Sequence, residues 1–420
     1  MTRKLVLCCD GTWNRPRDAT NVFRTYQSLR RQLQSRRDLP GSKDGWRYCE
    51  GKASDGSDVV LYYDRGVGTG FGELVGGGAF GQGLSDNVRD AYHFLAHHHA
   101  PGDAIYVFGF SRGAYTARSL CGFVNRMGGL LEEPSENDVL RAYLQKYALE
   151  NEVIGRPEGF SPSHAIDKLK GWLGDLVGRD IDGLPRRAVK VHFVGVYDTV
   201  GALGIPVPHA ERLNDVIVGF HDTDFCPIVE HGVHALAVDE RRGPYAPTIW
   251  RQPQSGALAP GQSCLQVWFP GVHSDIGGGY GDKGIGEITL DFMLRRAAEH
   301  GLVIDEGHPL PSLDLERLPG QHDSLDGLWK KVGRLFDDVE RLRPIGAEAR
   351  AGQGDRRPEA AGREMLHSSL VDRLGEAVSV VEETDDGVTS RTLSYRPPNL
   401  PWGKDEILRG AGLAVFREGA

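Results

Sequence analysis

The segment Val107-Phe-Gly109-Phe-Ser111-Arg112-Gly113-Ala114 carries the clearest chemical signal in the chain. An apolar run, Ile105 to Phe108, leads into Gly-x-Ser-x-Gly, and a helix-compatible stretch follows. That order suits a nucleophile elbow, in which a strand delivers a serine to a sharp turn at the start of a helix. Glycine at 109 and 113 lets strand and helix approach closely around the serine. Its Oγ then lies beside the first backbone N–H groups of the helix, where an oxyanion can be held. With 56 glycines a chance Gly-x-Ser-x-Gly is easy, so the strand–turn–helix context gives the motif its weight.

A serine hydroxyl needs a base, and the base needs an orienting group. Two later apolar runs end in suitable residues. Val189 to Val196 leads to Asp198, and Leu265 to Phe269 leads to His273 and Asp275 beside a glycine run at 277–279. The chain order Ser111, Asp198, His273 is the order of α/β-hydrolases. In this reading Ser111 attacks, His273 takes its proton, and Asp198 fixes the imidazole tautomer. Asp275 competes with Asp198 for the orienting role. Asp198 also suits a turn cap, and His273 also suits a packed core histidine. His221, His231 and His234 follow Asp198 too, but none directly follows a buried strand into a glycine-rich loop. The expected oxyanion donors are the backbone N–H of Arg112 and one from the loop after the first strand, Gly11 or Thr12.

Rival chemistry is present. Asp10 also closes an apolar run, and Asp10, Asp198 and Asp275 at strand ends would suit a metal-dependent hydrolase. That reading leaves Ser111 without a task. A third reading is a non-catalytic α/β scaffold for protein binding, which the presence of all three Ser, Asp and His candidates disfavours. The glycines at 66–70 and 76–78 lack the spacing of a phosphate loop or a dinucleotide fold, so they read as a flexible loop beside the site. The serine reading calls for no cofactor and no metal.

These residues need a scaffold. Leu5 to Cys9 reads as a buried strand, and Asn21 as the cap of a helix with Val22, Tyr26, Leu29 and Leu33 on one face. Val59 to Tyr63 is a second strand, and Leu84, Val88, Tyr92 and Leu95 mark a second helix. Alternation continues through the strands at 105–108, 189–196 and 265–269. The fold class is therefore α/β, a mostly parallel sheet with helices on both faces. Ligands of such sheets bind at the carboxyl ends of the strands. We read 1–420 as a single α/β-hydrolase-like domain with helical insertions over the active-site edge, 130–187 as a helical insertion or lid, and 306–365 as a polar insertion or mobile region. The segment Tyr395 to Trp402 reads as a turn-rich tail packed on the surface.

Composition narrows the function. Forty-nine basic against 58 acidic residues give a formal charge of −9, which argues against nucleic-acid binding. Six scattered cysteines without a Cys-x-x-Cys pair read as free thiols of a reducing compartment. No stretch is apolar enough to span a bilayer, and the N-terminus lacks a secretion signal. The expected location is the cytoplasm, with signal-peptide-independent export compatible with the sequence.

Six ordered motifs together resemble one known family. They are Cys9-Asp-Gly-Thr-Trp-Asn14, Tyr63-Asp-Arg-Gly-Val-Gly-Thr69, Gly109-Phe-Ser-Arg-Gly-Ala114, Val196-Tyr-Asp-Thr-Val200, Ala235-Leu-Ala-Val-Asp-Glu240 and Phe269 to Tyr280. The set is similar to an α/β-hydrolase-like domain family that includes the catalytic domains of type VI secretion phospholipase effectors. The resemblance covers about residues 3 to 300. It implies a serine esterase with Ser111, Asp198 and His273 as its triad. It further implies lipid or small-molecule ester substrates, peripheral membrane contact, and secretion or immunity partners.

Overall fold

The computed structural model describes residues 2–11, 19–38, 46–66, 79–143, 145, 181–200, 223–305, 320–325, 341–355, 357–384 and 387–419. Its centre is a ten-stranded sheet. The strands in chain order are β1 (Lys4–Cys9), β2 (Gln34–Asp38), β3 (Trp46–Lys52), β4 (Asp58–Asp64) and β5 (Ala104–Phe110). A two-stranded pair, β6 (Leu130–Leu131) and β7 (Arg186–Arg187), stands apart. The main sheet continues with β8 (Val191–Tyr197), β9 (Val229–Ala237) and β10 (Ser263–Phe269). A small sheet combines β11 (Gln321–His322) with β13 (Ala377–Thr384) and β14 (Gly387–Ser394). The last main-sheet strands are β12 (Arg363–His367) and β15 (Ala414–Phe416).

The order across the main sheet is β15-β12-β10-β9-β8-β5-β1-β4-β3-β2. Every pairing from β15 to β4 is parallel, and β3 and β2 are added antiparallel. Register aligns Cys9 with both Asp64 and Gly109, Phe110 with Tyr197, and Ala237 with Phe269. The residues that follow these strands therefore share one edge.

The layers follow from alternation. In β1, Leu5 and Leu7 face one cluster while Val6 and Cys8 face the other. Buried residues of α2 (Ala79–His98) and α3 (Arg112–Arg126) fill the first cluster. Those of α1 (Asn21–Gln32) and of α6 (Gly284–Glu299) fill the second. Both faces of a parallel sheet are covered, which is why β1, β4 and β5 read as apolar runs. This is an α/β-hydrolase-like fold.

Further helices among the described residues are α4 (Glu136–Tyr143), α5 (His273–Gly277), α7 (Gly346–Gly352), α8 (Ser368–Arg373) and α9 (Lys404–Leu408). Of the stretch read as a helical insertion, α4, β6 and β7 are described; β6 and β7 lie between the end of α3 and the start of β8, at the strand-start edge and not over the Ser111 edge, because α3 carries the chain away from Ser111 before the insertion begins. Residues 146–180 lie outside the described residues. So does most of the glycine-rich loop, residues 67–78.

Two local expectations change. Thr20, not Asn21, caps α1, its side chain accepting from Phe23 N at 3.1 Å. Asn21 is buried, and its Nδ2 donates to Ile276 O, Gly286 O and Thr289 Oγ1. It therefore ties α1 to α5 and α6. The tail is not merely superficial either. Tyr395 is buried, and its hydroxyl donates to Asp239 Oδ2 at 2.8 Å.

Candidate active site

Ser111 closes β5 and opens α3 with φ 56° and ψ −120°. A non-glycine residue in that region is strained, and such strain persists only where the surroundings enforce it. They do so here through close packing. A Cβ on Gly109 would sit 2.5 Å from Gly113 O, and one on Gly113 would sit 2.1 Å from Cys9 O. Ser111 N donates to Tyr197 O at 3.1 Å, which fastens the turn to β8. Arg112 follows as the first residue of α3, at the positive end of the helix dipole.

Asp198 and His273 converge on this serine. His273 Nε2 lies 2.8 Å from Ser111 Oγ, and His273 Nδ1 lies 2.6 Å from Asp198 Oδ2. A carboxylate only accepts, so Nδ1 carries the proton and Nε2 is the free acceptor for the hydroxyl. Burial lowers the His273 pKa below 6.5 against the opposing pull of Asp198, which keeps the ring neutral and basic near pH 7.

Asp198 sits at φ 41° and is fully buried. Its Oδ1 accepts from Ala237 N at 2.9 Å and from Arg343 Nη1 at 2.6 Å. Its Oδ2 accepts from Arg343 Nη2 at 2.9 Å as well as from His273. Burial alone would raise this carboxyl, but Arg343 and His273 outweigh it and hold it below the ordinary carboxylate range. Arg343 is buried too, and it also donates to Ala237 O and Tyr245 O. Asn399 Nδ2 of the tail donates to Arg343 O at 3.1 Å.

A second carboxylate steadies the imidazole from behind. Glu240 Oε2 accepts His273 N at 3.1 Å, and the Glu240 side chain pairs with Arg242 at 2.8 Å. Burial opposes that charge, but Arg242 overcomes it and lowers the Glu240 pKa to about 2. The Arg242 guanidinium lies 3.7 Å over the Tyr245 ring, and the Tyr245 and Phe110 rings flank the imidazole at 5.0 and 4.8 Å. The ring is therefore held by packing as well as by hydrogen bonds.

The remaining expected residues are placed as follows. Asp275 does not orient His273. Its Oδ2 accepts Val272 N and His322 N, and its Oδ1 faces His322 Nδ1 at 2.6 Å, so it fastens β11 to the start of α5. Asp10 accepts from Thr20 Oγ1, Tyr63 Oη and Gly11 N, and burial raises its pKa to about 7. Neighbouring Asp64 is likewise raised by burial, to about 6. Gly11 thus commits its N–H to Asp10 at 2.8 Å, which removes it as a ready oxyanion donor. Thr12 lies outside the described residues. Asp10, Asp198 and Asp275 each have separate partners and do not form a group of metal ligands. His234 accepts Thr199 N and faces Gln266, and His231 faces Ser263, so neither meets Ser111; His221 lies outside the described residues.

Sequence reasoning missed Arg343 and gave Glu240 no role. Glu240 at least closes a quoted motif. Arg343 lies in a polar stretch without periodicity, and nothing in its spacing points to Asp198.

Residues 3–296 match the family described as "T6SS, Phospholipase effector Tle1-like, catalytic domain". The chain belongs to that family. Ser111, Asp198 and His273 fall inside the matched segment, and Arg343 falls beyond it. A stretch of 260 residues is 29% identical to an uncharacterised protein of Saccharomyces cerevisiae, covering 58% of this chain and 32% of that one. The chain thus spans about a third of the length of this curated relative. Among solved structures, the Tle1 effector bound to the VgrG spike from the type 6 secretion system is similar over 68% of this chain and 52% of its own. Its identity is 18% and its TM-score 0.29. The butyrate-bound esterase Est2 of Thermogutta terrifontis is similar over 73% of this chain and 86% of its own, with 15% identity and a TM-score of 0.34. No helix among the described residues is long and apolar enough to cross a membrane.

Proposed function

We propose that this Tle1-like domain is a serine hydrolase of carboxylic acyl esters, including the acyl esters of phospholipids. The observation that supports it is the hydrogen-bonded relay from Ser111 Oγ through His273 to Asp198, with Ser111 in a strained turn. Ser111 Oγ attacks the ester carbonyl while His273 Nε2 takes its proton. The Arg112 N–H at the start of α3 stabilises the oxyanion, with the Thr12 N–H as the remaining expected second donor. Collapse of the tetrahedral intermediate breaks the ester C–O bond, and His273 returns the proton to the leaving alcohol. A water molecule deprotonated by His273 then releases the acid and restores Ser111.

Family membership supports phospholipid as the substrate class, and with it delivery outside the producing cell with secretion and immunity partners. We further propose that the chain folds as one domain, with a helical insertion at 130–187 and a polar insertion at 306–365. The test is fluorophosphonate labelling followed by mass spectrometry of the labelled peptide. Wild type acquires an adduct on Ser111, and Ser111→Ala acquires none and loses at least about a thousandfold in ester hydrolysis. Folded wild-type protein that stays unlabelled with and without detergent would overturn the reading.

A further inference from the structure

At the opposite edge of the sheet, His192, Glu230 and His231 form the one group of three potential metal ligands among the described residues. One ligand atom from each lies within 4.8 Å of the others. His192 stands near the start of β8, and Glu230 and His231 near the start of β9. Six residues of extended strand, roughly 20 Å, separate His192 from Asp198 and His231 from Ala237. The group therefore takes no part in the chemistry at Ser111.

The three side chains are already drawn together. His192 Nδ1 lies 2.7 Å from Glu230 Oε2. His192 Nε2 lies 2.9 Å from His300 O, and a carbonyl only accepts, so Nε2 carries a proton and Nδ1 is the ring atom turned to the cluster. Tyr106 Oη donates to the same carbonyl at 2.7 Å. The His231 ring lies 5.3 Å from His192 and is stacked at 3.7 Å on His300, and its Nδ1 lies 2.8 Å from Ser263 Oγ. For a metal ion the same neighbours are an advantage. His231 is a third ligand, and the His300 carbonyl is the outer acceptor that fixes the tautomer of a ligating histidine.

We propose that His192, Glu230 and His231 bind a zinc-class divalent cation. Two imidazoles and one carboxylate are a set that zinc accepts with a fourth position left to water. They offer too few oxygens for calcium or magnesium. The pocket beside the cluster, lined by Tyr106, Lys190, Glu230 and His300 among others, gives the ion its way in. The ion would clamp β8 to β9 at their starts, next to the end of α6. Lys190, whose Nζ is 3.9 Å from Glu230, is exposed and can swing away as it enters.

The test is calorimetric titration of the full chain with zinc chloride, paired with thermal unfolding. One zinc per chain binds and raises the melting temperature, while magnesium and calcium do neither. His231→Ala keeps the metal-free melting temperature and weakens zinc binding by more than about tenfold, since losing even an outer partner of a ligand costs about that much. X-ray absorption of zinc-loaded wild type reads two imidazoles without any variant. Absence of zinc-dependent heat and of a melting shift, or unweakened binding by a folded His231→Ala, would overturn the proposal.

Discussion

At the residue scale the proposed chemistry rests on the protonation of one ring. His273 is buried between Phe110 and Tyr245, and its pKa lies below 6.5 because burial disfavours the imidazolium. Only the neutral ring can accept the Ser111 proton. Lowering the pH therefore titrates activity away through a midpoint below 6.5, and kcat/KM measured from pH 4 to 8 should be flat on the alkaline side of that limb. Asp198→Asn should cost about 10⁴ in kcat, because an amide admits the wrong tautomer at Nδ1. A limb centred well above 6.5 would mean that another group is being titrated.

At the element scale the decisive contact joins two segments far apart in sequence. Asp198 ends β8, and Arg343 belongs to the connection before α7. Both are buried, and the guanidinium grips both carboxylate oxygens. Arg343→Met would strand a buried carboxylate, which costs about 3–5 kcal/mol. The sign with pH follows from linkage. The Asp198 pKa is depressed in the folded state, so its stabilisation is present above the unfolded value near 3.8 and is lost as pH falls below it. Denaturant unfolding should therefore show a large deficit for Arg343→Met at pH 7 that shrinks below about pH 4. An equal deficit at both pH values would assign the loss to packing instead.

At the scale of the whole molecule, two apolar layers bury almost every thiol. Cys8, Cys9, Cys49, Cys121 and Cys264 are buried, and Cys226 is partly exposed. Burial raises Cys8, Cys9 and Cys121 well above the ordinary thiol value, so they hold little thiolate. Brief alkylation of the native protein should modify Cys226 alone, and all six should react once the chain is unfolded. Peptide mass mapping reads the outcome. Early modification of Cys8 or Cys9 would show that β1, at the centre of the sheet, opens locally.

The strands β1, β4, β5, β8 and β10, the alternation with helices and the Ser111 turn were legible because each is a local pattern. Burial on both faces makes a strand an apolar run, and the elbow needs glycines at fixed offsets. Chain order and strand ends also pointed to Asp198 and His273, since a parallel sheet gathers its carboxyl ends on one edge. Other strands escaped notice: β2 is exposed throughout, β15 is three residues long, and the central β9 carries Glu230, His231 and His234 in place of an apolar run. Which carboxylate faces His273 was not decided by sequence. Asp275 is two residues from His273 and Asp198 is 75 away, yet the fold sends Asp275 to His322 and Asp198 to the imidazole. The Arg343 clamp was likewise set by tertiary structure alone. A salt bridge has no sequence period, and its partners are paired only when packing brings both into the same dry space.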